Sequence, residues 1–237
     1  MGKIEYKDVI KSVSYDKSEL IYNILKLHNE SEDIECDPTY SKGGFYSKSS
    51  KWVVNPPKYK YDVYPVIEGV EKIEPFTKWS LKPKSIKSII IDLPFTISTG
   101  KSLEMNNRKK NIIHRRFNSF YPKEDMFKTY YWFLLEAHRV LKHGGICILF
   151  TQRTVSGGKL LATPEMCWMF AEKIGFYTID KFTLIARNRL HSGQIKQQQH
   201  SRSWDSVFWV FQKQDGTSKT KQIDYFDFGI FPTKHKR

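Results

Sequence analysis

The sequence predicts an α/β protein built on a doubly wound, mostly parallel sheet with an antiparallel C-terminal hairpin strand. Three observations carry that expectation. Ser88-Ile89-Ile90-Ile91 and Ile146-Cys147-Ile148-Leu149-Phe150 are apolar runs without polar alternation, the pattern of parallel strands covered on both faces. Helical periodicity separates and follows them, over 124–141 and 163–174. Last, 177–186 and 206–211 are strand-like and joined by a polar, basic loop, so the sheet is expected to end on a reversed outer strand.

The elements follow in order. A helix is expected over 18–27, where Leu20, Ile24 and Leu27 fall at steps of four and three and Ile21 and Leu25 widen the face. Ile34-Glu35-Cys36 reads as a short strand running into the turn-rich loop Asp37-Pro38-Thr39-Tyr40-Ser41-Lys42-Gly43-Gly44-Phe45. Further strands are expected at 59–63 and 70–73. The long helix places Phe127, Tyr131, Leu134, His138 and Leu141 on one stripe, and Gly144-Gly145 is expected to be its left-handed stop. Pro164 suits the first turn of the next helix, which stops at Gly175.

A chain of 237 residues has room for one well-buried domain. Residues 1–213 are expected to form it, with basic target-binding loops at about 97–123 and 187–203, and 214–237 to form a C-terminal tail. Hydrophobic residues are 40% and charged residues 27% of the chain, the balance of a soluble globular protein. No run approaches the roughly 20 apolar residues of a membrane span, and the first residues are too polar for a secretory signal. Cys36, Cys147 and Cys167 lie far apart without CxxC or Cys/His spacing, so no metal site is expected and a cytoplasmic location is. The net charge of +14 attracts polyanions, nucleic acid foremost.

In an open parallel sheet, ligands bind beyond the carboxyl ends of the strands. Asp37, Asp62 and Asp92 each follow such a strand. After Ile89-Ile90-Ile91 stands the tetrad Asp92-Leu93-Pro94-Phe95, and further on Arg139-Val140-Leu141-Lys142-His143-Gly144-Gly145 opens the next strand. In these motifs and their order, from about residue 18 to 213, the chain resembles the amino-group methyltransferases that modify adenine or cytosine in DNA. These are Rossmann-like class I methyltransferases whose tetrad is Asp or Asn, Pro, Pro and an aromatic residue. Three features depart from the family pattern: Leu93 and His143 replace prolines, and the Gly43-Gly44 pair is displaced toward the C-terminal end of the family's Asp-Pro-Phe-x-Gly-x-Gly loop, which 37–45 otherwise resembles. Asn55-Pro56-Pro57-Lys58 begins like a second tetrad, but Lys58 replaces the ring, and it reads as a loop leading into the next strand.

The resemblance implies S-adenosyl-L-methionine as cofactor. Asp37, Pro38, Thr39, Tyr40, Gly43 and Gly44 would hold its methionine end, Asp62 its ribose and Glu74 its adenine. The tetrad suits an exocyclic amine, a poor nucleophile because its lone pair is delocalised into the ring. Asp92 would accept one amino hydrogen, the Leu93 carbonyl the other, Pro94 would shape the turn, and Phe95 would stack on an extruded base. The target implied is adenine N6 in double-stranded DNA. Arg108, Lys109, Lys110, Arg115 and Arg116 after the tetrad, and Arg187, Arg189, Lys196 and Arg202 in the later loop, would neutralise phosphates. Because Leu93 lacks the fixed φ of proline, a second reading stands beside the enzyme: a methyltransferase-like fold retained for DNA binding or inhibition without catalysis.

Overall fold

The computed structural model describes residues 9–29, 31, 33–46, 51–97, 120, 123–156, 158–187, 200–201 and 203–214. Their elements are β1 (Val13–Ser14), α1 (Lys17–His28), β2 (Cys36–Asp37), β3 (Tyr59–Asp62), β4 (Glu71–Lys72), β5 (Ile86–Asp92), α2 (Lys123–Val140), β6 (Leu141–Thr151), β7 (Thr154–Ser156), β8 (Lys159–Leu161), α3 (Thr163–Ile174), β9 (Phe176–Ile185) and β10 (Asp205–Lys213). The main sheet runs β1-β9-β10-β6-β5-β2-β3-β4. It is parallel throughout except for β10, which is antiparallel to both β6 and β9.

Alternation along the two aliphatic strands divides the core. Ile89, Ile91, Cys147 and Leu149 face α2 and α3, packing with Met126, Tyr130, Phe133, Ala137, Cys167 and Ala171. Ile90, Ile146 and Ile148 face α1, packing with Leu20, Ile21, Ile24 and Leu25 and with Phe182 and Phe208 of the C-terminal strands. Successive strand side chains point to opposite faces, so a run apolar at every position requires a helix layer on each side. The sheet is therefore doubly wound and Rossmann-like, as the aliphatic runs predict.

Several details differ from expectation. The reversed strand, β10, is interior, because β9 continues the sheet beyond it and β1 adds to β9. The two-residue β1 and the β7–β8 hairpin carry too little periodicity to be read from sequence. Leu27 is exposed, so α1 buries a narrower face than its spacing suggests. The buried stripe of α2 is Met126, Tyr130, Phe133, Leu134, Ala137 and Val140, rotated from the predicted one. Phe127, Tyr131 and His138 are only half-buried. Residues 130–135 are aromatic or leucine throughout, so periodicity alone leaves the facing side undetermined. Gly144 does adopt a left-handed φ of +73°, but within β6, since α2 has already ended at Val140. Gly175 is a true stop: its φ is +108° and its N–H donates to the carbonyls of Ala171 and Glu172.

Candidate active site

The chain runs outward from β2 to β3 and β4, then returns to the other side of β2 with β5 and continues to β6. The order of strands thus reverses between β2 and β5, leaving a crevice beyond their carboxyl ends, the place where open α/β sheets bind ligands. Asp37 is the last residue of β2 and Asp92 the last of β5. Asp62 ends β3, one strand further out.

Asp37 is buried, with 1% of its surface exposed, and both its oxygens are engaged. One accepts from the Thr39 amide (2.8 Å) and the Thr39 hydroxyl (3.0 Å), the other from the Tyr46 hydroxyl (2.8 Å). Burial pushes its carboxyl up to about 6, against the pull of those hydrogen bonds. The loop that follows is folded tightly onto β3. Tyr40 donates its N–H to the Tyr61 carbonyl, and the amides of Ser41 (2.9 Å) and Tyr64 (2.7 Å) donate to the two carboxylate oxygens of Asp62. Gly43 has a φ of +70°, and a Cβ there would lie 2.7 Å from the Tyr40 hydroxyl oxygen. The Tyr40 ring in turn stacks on Tyr46, with centroids 5.3 Å apart. Pro38 is buried beneath this loop, whereas Gly44 is exposed.

Asp92 differs from Asp37 in one decisive respect. Its amide donates to the Thr39 hydroxyl at 2.8 Å, yet no described residue donates a hydrogen bond to its carboxylate. Burial, followed by the neighbouring charge of Asp37, pushes that carboxyl up to about 7, while the charge of Lys17 pulls it down. Among the described residues it is thus an acceptor with open lone pairs.

The rest of the tetrad is anchored through its backbone. Leu93 is buried, and its carbonyl accepts from the Tyr130 hydroxyl of α2 at 3.0 Å, with the Pro94 carbonyl 3.4 Å from the same hydroxyl. The Phe95 carbonyl accepts from Thr154 of β7 at 3.1 Å, and Pro94 and Phe95 are half-buried.

Lys17 and Tyr130 are absent from the sequence-derived site. Lys17 opens α1, and its ammonium lies 5.2 Å from the centroid of the Phe45 ring and 3.5 Å from where a Gly44 Cβ would sit. It is half-buried and forms no ion pair with a described residue. Nothing local in Tyr15-Asp16-Lys17-Ser18 marks that lysine as facing the crevice. Tyr130 had a signal, its step of four from Met126 and Leu134, which the neighbouring aromatics obscured.

Of the other expected residues, most lie outside the described residues. Glu74 lies two residues beyond β4, exposed and paired with Lys72, and follows Ile73, whose amide donates to the Asp62 carbonyl at 3.0 Å. Arg187 is exposed, its guanidinium 5.8 Å from the Tyr15 ring centroid. Arg108, Lys109, Lys110, Arg115, Arg116, Arg189, Lys196 and Arg202 lie outside the described residues.

No protein-family model matches the chain, and no curated protein matches it in sequence. Among solved structures, it is similar to a protein of Thermus thermophilus named as a DNA modification methylase. The form of that protein complexed with S-adenosyl-L-methionine is 14% identical, with a TM-score of 0.38, over 60% of this chain and 51% of that one. Its selenomethionine form gives 12% identity and a TM-score of 0.37 over the same shares. The chain therefore spans about half the length of that protein. A TehB-like SAM-dependent methyltransferase from Corynebacterium glutamicum is 12% identical, with a TM-score of 0.39, over 77% of this chain and 80% of that one. Likenesses this remote assign no activity.

Proposed function

We propose that the chain is an S-adenosyl-L-methionine-dependent methyltransferase acting on an exocyclic amino group of a base in nucleic acid, with adenine N6 in double-stranded DNA as its target. The observation that carries this reading is the Asp92 carboxylate at the topological switch point, to which no described residue donates a hydrogen bond. The chemistry of the surrounding groups fits the cofactor. Lys17, a half-buried cation beside Gly44, suits the α-carboxylate of its methionine end. Asp37, Pro38, Thr39, Tyr40, Gly43 and Gly44 form the loop under that end, Thr39 through its backbone and not its side chain, and Asp62 keeps lone pairs for ribose hydroxyls. Glu74, just beyond the carboxyl end of β4 and next to Ile73, which bonds to Asp62, would serve the adenine.

When bound, the cofactor supplies a methyl group on a positively charged sulfur. The protein's part is to make the amine nucleophilic. Asp92 accepts one amino hydrogen, and the second lone pair of the Leu93 carbonyl accepts the other, so the nitrogen pyramidalises and its lone pair is freed. Asp92 would take up the surplus proton of the methylated nitrogen and pass it to solvent. Phe95 stacks on the extruded base. Buried Leu93, tied by Tyr130, gains from packing and a hydrogen bond the rigidity that a proline would supply through its ring.

The second reading, DNA binding without catalysis, draws on the same contact, because Tyr130 already occupies one face of the Leu93 carbonyl. Methyl transfer from labelled cofactor to duplex DNA separates the two. The enzyme reading expects transfer by the wild type and its loss in Asp92→Ala. Cofactor-independent DNA binding without transfer to any nucleic acid would favour the second reading, and equal transfer by Asp92→Ala would refute the chemistry proposed.

A further inference from the structure

We propose that Thr39 is a positioning residue that locks the cofactor loop to the tetrad through a one-way chain of hydrogen bonds. This deepens, and rests on, the methyltransferase reading. The Asp92 N–H donates to the Thr39 hydroxyl oxygen at 2.8 Å, and that hydroxyl donates its own proton to Asp37 at 3.0 Å. Asp37 is held from its other side by the Tyr46 hydroxyl at 2.8 Å.

A hydroxyl has one proton to give and two lone pairs to offer. Here the proton goes to a buried carboxylate and one lone pair takes the amide, so the chain has a single direction and each bond polarises the next. The side chain of Thr39 therefore has no proton left for a ligand, and its contribution passes through Asp92.

The strand geometry explains why a side chain is needed at this point. β2 stops at Asp37, and its register partner on β5 is Ile89 for Cys36. β5 runs on to Asp92, whose neighbour on the other side is Phe150 of β6. The Asp92 amide thus reaches the end of β5 with no carbonyl of β2 opposite it, and the Thr39 hydroxyl takes that place. An unpaired amide in the crevice would leave the tetrad free to pivot about its first residue. With the bond made, the direction of the Asp92 carboxylate depends on the conformation of the loop beneath the cofactor. A ligand that orders that loop also orders the tetrad.

The test compares Thr39→Val, which keeps shape and loses the hydroxyl, with Thr39→Ser, which keeps the hydroxyl. Backbone hydrogen exchange at Asp92 and methyl transfer to duplex DNA are measured with and without S-adenosyl-L-methionine. Loss of one charge-linked hydrogen bond is expected to raise Asp92 exchange about tenfold or more in Thr39→Val and to lower the transfer rate by a similar factor. The KM for the cofactor should stay within about threefold. Thr39→Ser should restore both rate and protection, and cofactor should slow Asp92 exchange in the wild type but not in Thr39→Val.

Wild-type exchange and rate in Thr39→Val would overturn the proposal, as would failure of serine to rescue. A cofactor KM that worsens as much as the rate would do the same, by placing Thr39 in direct contact with ligand. If Thr39→Val does not fold, Thr39→Ala carries the same measurements. If the wild type transfers no methyl group, the methyltransferase reading fails, and Asp92 exchange alone still decides the link.

Discussion

Asp92→Asn is expected to stabilise the protein at alkaline pH while removing its activity. The wild-type carboxyl titrates near 7 in the folded chain, against about 3.9 in an unfolded one. Below pH 4 it is neutral in both states and its ionisation imposes no penalty. Between 4 and 7 the folded chain keeps a proton that the unfolded chain has lost, so stability declines as pH rises. Above 7 the folded chain carries the enclosed charge and the penalty is complete. At about 1.36 kcal/mol per pKa unit the full displacement corresponds to about 4 kcal/mol. Solvent screening of a half-buried residue reduces this to about 2 kcal/mol. Asparagine has no such titration. Urea unfolding of both proteins at pH 5 and pH 8 should therefore show the variant's advantage growing by about 1–2 kcal/mol between them. The same substitution should lower methyl transfer by roughly a hundredfold or more, since an amide is a poorer acceptor than a carboxylate and takes up no proton. An advantage independent of pH would refute the assignment of an enclosed, ionisable Asp92.

Three further outcomes follow from the contacts around the crevice. Lys17→Met should weaken S-adenosyl-L-methionine binding by about 10- to 100-fold in calorimetry, the range of one lost charged hydrogen bond. It should also move the pH profile of transfer to the alkaline side, because the Lys17 charge pulls the Asp92 carboxyl down. Tyr130→Phe removes the donor to Leu93, and should reduce kcat about tenfold with an unchanged KM while lowering stability by about 1 kcal/mol in urea unfolding. Gly43→Ala places a methyl group against Tyr40 at a φ of +70°. It should lower stability by at least about 1–2 kcal/mol in the same assay and weaken cofactor binding.

The parts legible in the sequence were those whose signal is local and repeated. Ile89-Ile90-Ile91 and residues 146–150 announce strands covered on both faces, and the acids that follow the strands mark the ends where a crevice forms. Gly175 ends α3 as its position suggests. What stayed hidden depends on tertiary choice. β10 sits between β6 and β9, which pairing preferences do not encode in either strand alone. The buried side of α2 could not be read because a wholly aromatic and leucine stretch has no polar face to contrast with. Lys17 reaches the crevice only because α1 packs over Ile90 and Ile148, and Thr39 bridges Asp37 to Asp92 only because β2 stops where β5 continues. Neither relation has a spacing rule.

The interior place of β10 has a consequence for how the chain is made. β6 emerges from the ribosome with β5 on one side and nothing on the other, since its second neighbour lies more than fifty residues further along. Until residues 205–213 appear, its exposed backbone and the apolar row of Ile146, Ile148 and Phe150 form an open template for another chain. β9 waits in the same state, because the strand that joins it to the sheet is again β10. The nascent protein thus carries two unfinished edges that a single late segment closes together.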